Sequence, residues 1–437
     1  MDDALLKSYR DQAFSLLGSL PGVDDLRRQA VERLEKVGLP TPKTEAWKYA
    51  DLKRLRKSAF SLATPPETDP GELDWLVDEP AARIVFVNGR YSETLSDLKD
   101  VWQAISIRPL ANHLAAMEGR ADTLFQDDDA IALLNTALLR DGMVISVPAG
   151  VTIDEPVVIV NLVQNAENAA LHQRHLVELG EGSRLTLVER FIGDNSSSWT
   201  NTILQARVSE RARLDHVRLQ EEGPNALHTG KAHVNVGAEG RYHATSLATG
   251  GAMTRFEDHV RLLGNGADAS VDGAALASDR QIHDALTHIR HTVPDATSDQ
   301  VFRAIAGQRG KSVFQGKITV DRGAQDTEAD QSFKALLLDR TGEADAKPEL
   351  EIFADAVKCS HGATVGELDQ AALFYMVSRG VDPATARTLL VEAFTADALA
   401  RIANTTLRDS LMGRVSRWMA SRDLSAVAAA SEEKGAA

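Results

Sequence analysis

Apolar residues in this chain keep a helical period at both ends and a strand period in the middle. Leu5, Leu6, Tyr9, Ala13, Leu16 and Leu17 recur at near-helical spacing, and Leu26, Ala30, Leu34 and Val37 repeat the pattern until Gly38 closes it. Residues 1–60 are therefore expected to be helical. The proline-dense stretch Thr64-Pro-Pro-Glu-Thr-Asp-Pro-Gly marks a break. Ile84-Val-Phe-Val-Asn-Gly-Arg reads as a short strand entering a turn, and residues 108–140 return to the helical period. From Gly142 the pattern changes: Val144 to Val160 reads as two short strands around a turn.

A repeat follows. Turn-like sites start at Gly180, Ser209, Gly237 and Gly264, which are 29, 28 and 27 residues apart. Each comes after a short alternating strand: His175–Leu179, Leu204–Val208, Ala232–Val236 and Asp258–Leu263. Gly316–Gln325 fits the same strand–turn template. Strands this short cannot bury both faces alone, but stacking one coil on the next supplies each with a neighbour. The near-constant step favours a β-helix over a β-sandwich of evenly spaced hairpins. Helices return after Val365: Leu368, Ala371, Ala372, Tyr375 and Met376 fall on one face, and Gly380 supplies a stop. Asp382-Pro383 then forms an N-cap and first-turn proline for a second helix through Phe394. The predicted divisions are a mostly helical region 1–140, a β-helix 141–360, a helical region 361–425 and a disordered tail 426–437.

Composition narrows the function. The chain has 437 residues and a net charge of −15, from 63 acids against 48 bases, which disfavours nucleic acid and anionic membrane as partners. No apolar run is long enough to span a membrane. The opening Met1-Asp-Asp-Ala-Leu-Leu-Lys carries acids where a leader carries bases, so a cytoplasmic location is expected. Cys359 is the only cysteine, which excludes an internal disulfide and an all-cysteine metal site within one chain.

Lys358-Cys-Ser-His-Gly-Ala-Thr-Val-Gly carries the most chemistry. In an extended segment Cys359 and His361 share a face and Ser360 takes the other. Thiolate and imidazole suit iron or zinc, but two donors do not close a site, so a second chain must complete it. Gly307-Gln-Arg-Gly-Lys-Ser imitates a phosphate loop, yet the glycine required five positions before Gly310 is Ile305. His283, His288 and His291 cluster in sequence, but 288 and 291 face opposite sides of a strand, and structural roles are expected. Trp47 is read as a packing anchor. A self-sufficient zinc hydrolase fails for want of three ligands at motif spacing.

The segment Lys358–Gly380, together with Gly316-Lys-Ile-Thr-Val, Ala324-Gln-Asp-Thr, Leu336-Leu-Leu, Lys347–Asp355, His291-x-x-Pro-x-x-x-Ser-x-Gln and Thr44-Glu-Ala-Trp-Lys-Tyr, resembles the SufB/SufD family, and its SufD branch in particular. These are scaffold subunits of the Suf (SufBCD) complex for iron–sulfur cluster assembly. The resemblance implies a mainly β fold, with a central right-handed parallel β-helix flanked by N-terminal and C-terminal helical regions. It implies a non-catalytic subunit that forms a heterodimer with its paralogue SufB, self-pairing being open to the isolated chain. It also implies docking of the ATPase SufC on the C-terminal helices, for which Leu368, Tyr375, Leu390 and Phe394 are the candidate contacts. His361, and secondarily Cys359, are implied as cluster or iron ligands completed by the partner. The cluster would be assembled transiently, with none held stably by the isolated chain. A solenoid acting on polysaccharide is the competing reading, and the acidic N-terminus and helical tail weigh against it.

Overall fold

The computed structural model describes residues 2–50, 55–56, 60–64, 75–98, 101, 104–117 and 128–422. Most of the expected break after Thr64, the centre of the 108–140 stretch and the tail from Ala426 lie outside the described residues.

From Met143 to Glu367 successive strands alternate between two ten-stranded sheets, so each strand's ladder partners belong to the coils before and after it. Sheet one runs from Met143–Val147 through Ala169–Leu179, Ser198–Val208, Leu227–Val236, Met253–Leu262, Ile282–His291 and Lys311–Val320 to Glu343–Ile352. Sheet two runs from Val157–Val163 through Arg184–Gly193, Arg213–Glu221, Arg241–Ala248, Asp268–Ala277, Thr297–Ala306 and Thr327–Leu337 to Val357–Glu367. Pairing along this path is parallel, giving a β-solenoid of about 8 turns.

Alternation builds the core. Inward residues of both sheets, such as Val177, Leu187, Leu214, Val234, Val260, Val271 and Ile289, fill an apolar lumen. The repeat lies at the corners. Gly182, Arg211 and Glu239 adopt positive φ, and their N–H groups donate to Glu210, Ala238 and Asn265 of the following coil. Asp295 and Asp326 do the same toward Gln325 and Ala356. The corners are thereby stacked as firmly as the strands.

Helices cover the outside. α1 (Asp2–Ser15), α2 (Asp24–Val37) and α4 (Ala130–Leu138) bury Tyr9, Leu34 and Leu134 together with Trp199, Leu227 and Met253 on the outer face of sheet one, whereas α3 (Leu110–Ala116) packs near the first coils. The Asp129 carboxylate caps α4 by accepting from the N–H groups of Ile131 and Ala132. α5 (Gln370–Ser378), α6 (Pro383–Leu399) and α7 (Thr405–Ala420) bury Val391, Leu399, Leu407 and Leu411 against Val217, Leu219, Leu247, Leu276 and Ile305 of sheet two. The capping expected at Asp382 is present, with Ala384 and Thr385 N–H donating to it, and Gly380 takes φ +88 where α5 stops. α6 continues past Phe394 to Leu399.

Two divisions differ from the sequence reading. Ala82–Val87 pairs in parallel with Val157–Val163, with Ile84, Val85 and Phe86 buried on both faces, so the solenoid begins before residue 141, and Ser106–Pro109 adds an antiparallel strand to sheet one. At the other end, Gly362–Glu367 stays in register with Ser332–Leu337, so helices begin at Gln370 and not at 361. A strap links the two ends along the outside of sheet one. Trp47 is buried beneath the Arg255 guanidinium, whose carbon lies 4.2 Å from its ring centroid. The Ala46 carbonyl accepts from Gln315, and Glu45 pairs with Lys347.

Burial lowers His172 to about 3, with a smaller contribution from Arg27, and lowers His283 and His291 to about 4. These rings stay neutral in the folded protein but take up protons near pH 6.5 once unfolded. Between pH 6.5 and about 4 the unfolded chain therefore binds more protons, and stability falls as pH falls. Urea midpoints should be level above pH 7 and drop below 6.5, with on the order of 2–3 kcal/mol lost per histidine by pH 4. His283→Asn should flatten that slope, and an unchanged slope would contradict this assignment.

Candidate functional site at the open end of the solenoid

The solenoid closes on nothing at its C-terminal end. Among the described residues, Glu343–Ile352 and Val357–Glu367 have no strand on their far sides. Parallel edges of this kind present unpaired N–H and C=O groups. Ile352, Phe353 and Val365 are exposed there, and Phe353 is 60% exposed.

Register places the signature residues at this mouth. Cys359 follows Ala329 and His361 follows Gln331, both buried, while Ser360 follows the exposed Asp330 and donates to its carboxylate. Cys359 and His361 therefore share the inward face, as the alternation predicts. Cys359 is half-buried against the cluster of Ile318, Val320, Ala329 and Leu350. Burial, and then the Asp330 charge, push its thiol up, so it is protonated at neutral pH and a weak nucleophile. His361 is exposed. Among the described residues no three His, Cys, Asp or Glu side chains converge as a metal site.

Behind His361 runs a lane of polar lumen residues that the sequence reading missed. Gln331 stands beside Gln300 in the ladder, and Gln300 Oε1 accepts from the Thr287 hydroxyl. Thr287 in turn is the ladder partner of Asp258. Asp258 pairs with Arg218, and Tyr242 Oη lies 3.0 Å from His216 Nδ1, whose Nε2 is 2.7 Å from Glu189. Burial opposes ionisation of Glu189, but the hydrogen bond and charge of His216 hold its carboxyl below the usual range. These residues come from several strands of both sheets, brought together by ladder register and by contacts across the lumen. Across the lumen Gly316 leaves the space that Phe314 and Gln331 fill.

The expected docking residues separate. Leu368 is buried against sheet two, because it precedes the Asp369 cap and so never joins the helical face on which periodicity placed it. Leu390 and Phe394 are half-buried against the same cluster, whereas Tyr375 is exposed. Phe374, 75% exposed, and Leu389 complete the apolar surface of α5 and α6. The phosphate-loop imitation at Gly307–Lys311 is a solenoid corner with Gln308 and Arg309 at positive φ, and a Cβ on Gly310 would fall 2.3 Å from the Ala277 carbonyl oxygen. His283 and His291 face inward, bonded to the Gly250 carbonyl and the Ser298 hydroxyl, and His288 faces outward beside Thr319. His233, His259 and His288 form one outer column, the first pair stacked at 5.1 Å between centroids and the second edge-on at 6.3 Å, which only the coil length reveals in sequence.

Family models agree with this architecture. The SufBD core domain of the SUF system for FeS cluster assembly matches residues 162–394, and the SufBD protein N-terminal region matches residues 3–159. The chain belongs to the SufBD family. It is 29% identical over 394 residues to the iron–sulfur cluster assembly protein SufD of Escherichia coli, covering 89% of this chain and 91% of the relative. It is 30% identical over 427 residues to the chloroplastic protein ABCI7 of Arabidopsis thaliana, covering 94% and 89%. A SufBD family protein of Synechocystis is 28% identical over 431 residues, covering 95% and 91%. The SufBD chain is thus a homologue of SufD, and among its described residues no helix is long and apolar enough to cross a membrane.

In this SufBD solenoid, Gly316→Ala would put a Cβ 2.6 Å from Phe314 Cζ and 3.1 Å from Gln331 Nε2. Overpacking of this kind should cost about 1–3 kcal/mol. Denaturant titration checks it, and wild-type stability would show that the lumen yields at the mouth.

Proposed function

We propose that this SufD homologue is a cytoplasmic, non-catalytic scaffold subunit that pairs with its paralogue SufB through the open end of the solenoid and docks the ATPase SufC on α5 and α6. One observation carries the reading: the terminal coil is an unpaired edge, and its inward face bears Cys359 and His361. A second solenoid laid on that edge would satisfy its backbone groups and enclose both side chains. Iron–sulfur clusters prefer four thiolates, and one thiol with one imidazole underfills that set. The cluster is therefore cargo, built between two chains.

His361 supplies an imidazole nitrogen at the mouth, exposed and free to reach a shared cluster. Cys359 supplies a protonated, half-buried thiol, which suits an auxiliary role better than sulfur acceptance. Phe374, Tyr375 and Leu389 present apolar area of the kind that anchors helix docking.

Three measurements test this. Purified anaerobically and alone, the chain should carry no stoichiometric iron and sulfide. In the reconstituted complex His361→Ala should reduce cluster yield more than Cys359→Ala. A stable full cluster on the isolated chain would sink the proposal, as would wild-type yield from both variants. The double variant Phe374→Ser with Leu389→Ser should weaken SufC binding by more than about 2 kcal/mol while leaving the melting temperature in place, since both side chains are exposed. Unchanged affinity in that folded variant would remove α5 and α6 as the docking surface.

A further inference from the structure

We propose that Gln331 is a positioning residue for His361, its amide oxygen accepting the Nδ1–H of the imidazole so that Nε2 is the unprotonated, outward atom. The consequence for cluster building rests on the reading of His361 as a ligand; the positioning itself does not.

Gln331 is only 3% exposed, yet neither its Oε1 nor its Nε2 has a hydrogen-bond partner. Leaving a buried amide unmatched is unfavourable, so a partner at the mouth would be gained at little further desolvation. Its surroundings limit what that partner can be. On the N-terminal side stands its ladder neighbour Gln300, whose Oε1 already accepts from Thr287 and whose Nε2 has no partner among the described residues. Across the lumen, Gln331 Nε2 lies over Gly316, 3.1 Å from where a side chain would begin. The Gln331 oxygen has unused lone pairs, and the inward residue of the next coil is His361. Neighbouring strands lie about 4.8 Å apart, within the combined reach of the two side chains, and the exposed ring has the rotamer freedom to turn inward.

The chemistry follows from the two ring nitrogens. A neutral imidazole that donates from Nδ1 carries its lone pair on Nε2, which is the state a ligating histidine needs. Gln331 is held by its burial in the lumen, beside Gln300 in the ladder and over Gly316, and not by a hydrogen bond of its own. The open mouth therefore does not present a freely rotating histidine but one whose proton is assigned to the inner nitrogen.

Two-bond nitrogen–proton correlation spectra of the full chain, labelled with ¹⁵N-histidine, read the tautomer directly. His361 is assigned by the signals lost in His361→Ala. The wild type should show Nδ1–H at His361, and Gln331→Met, which keeps the volume and removes the acceptor, should shift the tautomer ratio toward Nε2–H by about tenfold. Gln331→Glu restores an acceptor at the same place and should restore Nδ1–H. Gln331→Asn withdraws the oxygen by one methylene and provides the same test if the methionine variant does not fold. Nε2–H in the wild type, or the same tautomer ratio in wild type and variant, would overturn the proposal. On the reconstituted complex, Gln331→Met should lower cluster yield about tenfold, with recovery in Gln331→Glu. A shifted tautomer with undiminished yield would uphold the positioning and instead overturn the assignment of His361 as a ligand.

Discussion

Parallel stacking in exact register is the constraint on which the rest of this molecule depends. No strand of the solenoid completes its hydrogen bonds within its own coil, and the left-handed corner residues also spend their N–H groups on the following coil. Each coil thus needs a successor, and the series must end on a coil that lacks one. Helices relieve the outer faces of both sheets, but a helix laid on a face cannot supply the strand an edge requires. The unsatisfied end is a necessary product of the architecture, and in this chain it coincides with the residues of greatest chemical interest.

The same stacking sorts the lumen. Inward positions near the strand ends of the sheets hold Val177, Leu187, Leu214 and Ile289, which pack as an ordinary apolar core. Others hold Glu189, His216, Arg218 and Asp258, fully buried yet matched with one another. Such a network is costly unless every member is paired, and its benefit is geometric definition more than stability. Nearer the mouth the charges give way to amides at Gln300 and Gln331, and neither atom of the Gln331 amide finds a partner among the described residues.

Much of this was legible in the sequence. The spacing of Gly180, Ser209, Gly237 and Gly264 reported the coil length because corners demand residues that tolerate tight turns, and alternation placed Cys359 and His361 together because a strand's period is two. The first coil was not legible: Ala82–Val87 pairs with Val157–Val163, and no turn repeat connects segments so far apart. The end of the solenoid was set too early, since Gly362 and Gly366 interrupt the alternating pattern although their backbone stays in the ladder. Leu368 was misplaced because helical periodicity was carried one residue past its cap. The lane from Asp258 to Gln331 was invisible for a different reason. Its members are adjacent through register and through contacts across the lumen, and single-sequence reading has no access to either between coils of unequal length.

The strap from Glu45 to Trp47 has a bearing on the evolution of length. It is fixed at Trp47 by Arg255, at Ala46 by Gln315 and at Glu45 by Lys347, so it touches three coils and reaches the edge strand of the mouth itself. Each coil added or removed would displace the mouth by about 4.8 Å relative to the N-terminal helices. A solenoid is ordinarily free to grow or shrink by whole repeats, since every repeat sees only its neighbours. Here a segment anchored at both ends compares the stack with a fixed measure, so that duplication of a coil would set Glu45 opposite the wrong side chain. Coil number in this protein is gauged from outside, and the distance between its helical base and its open end is held constant.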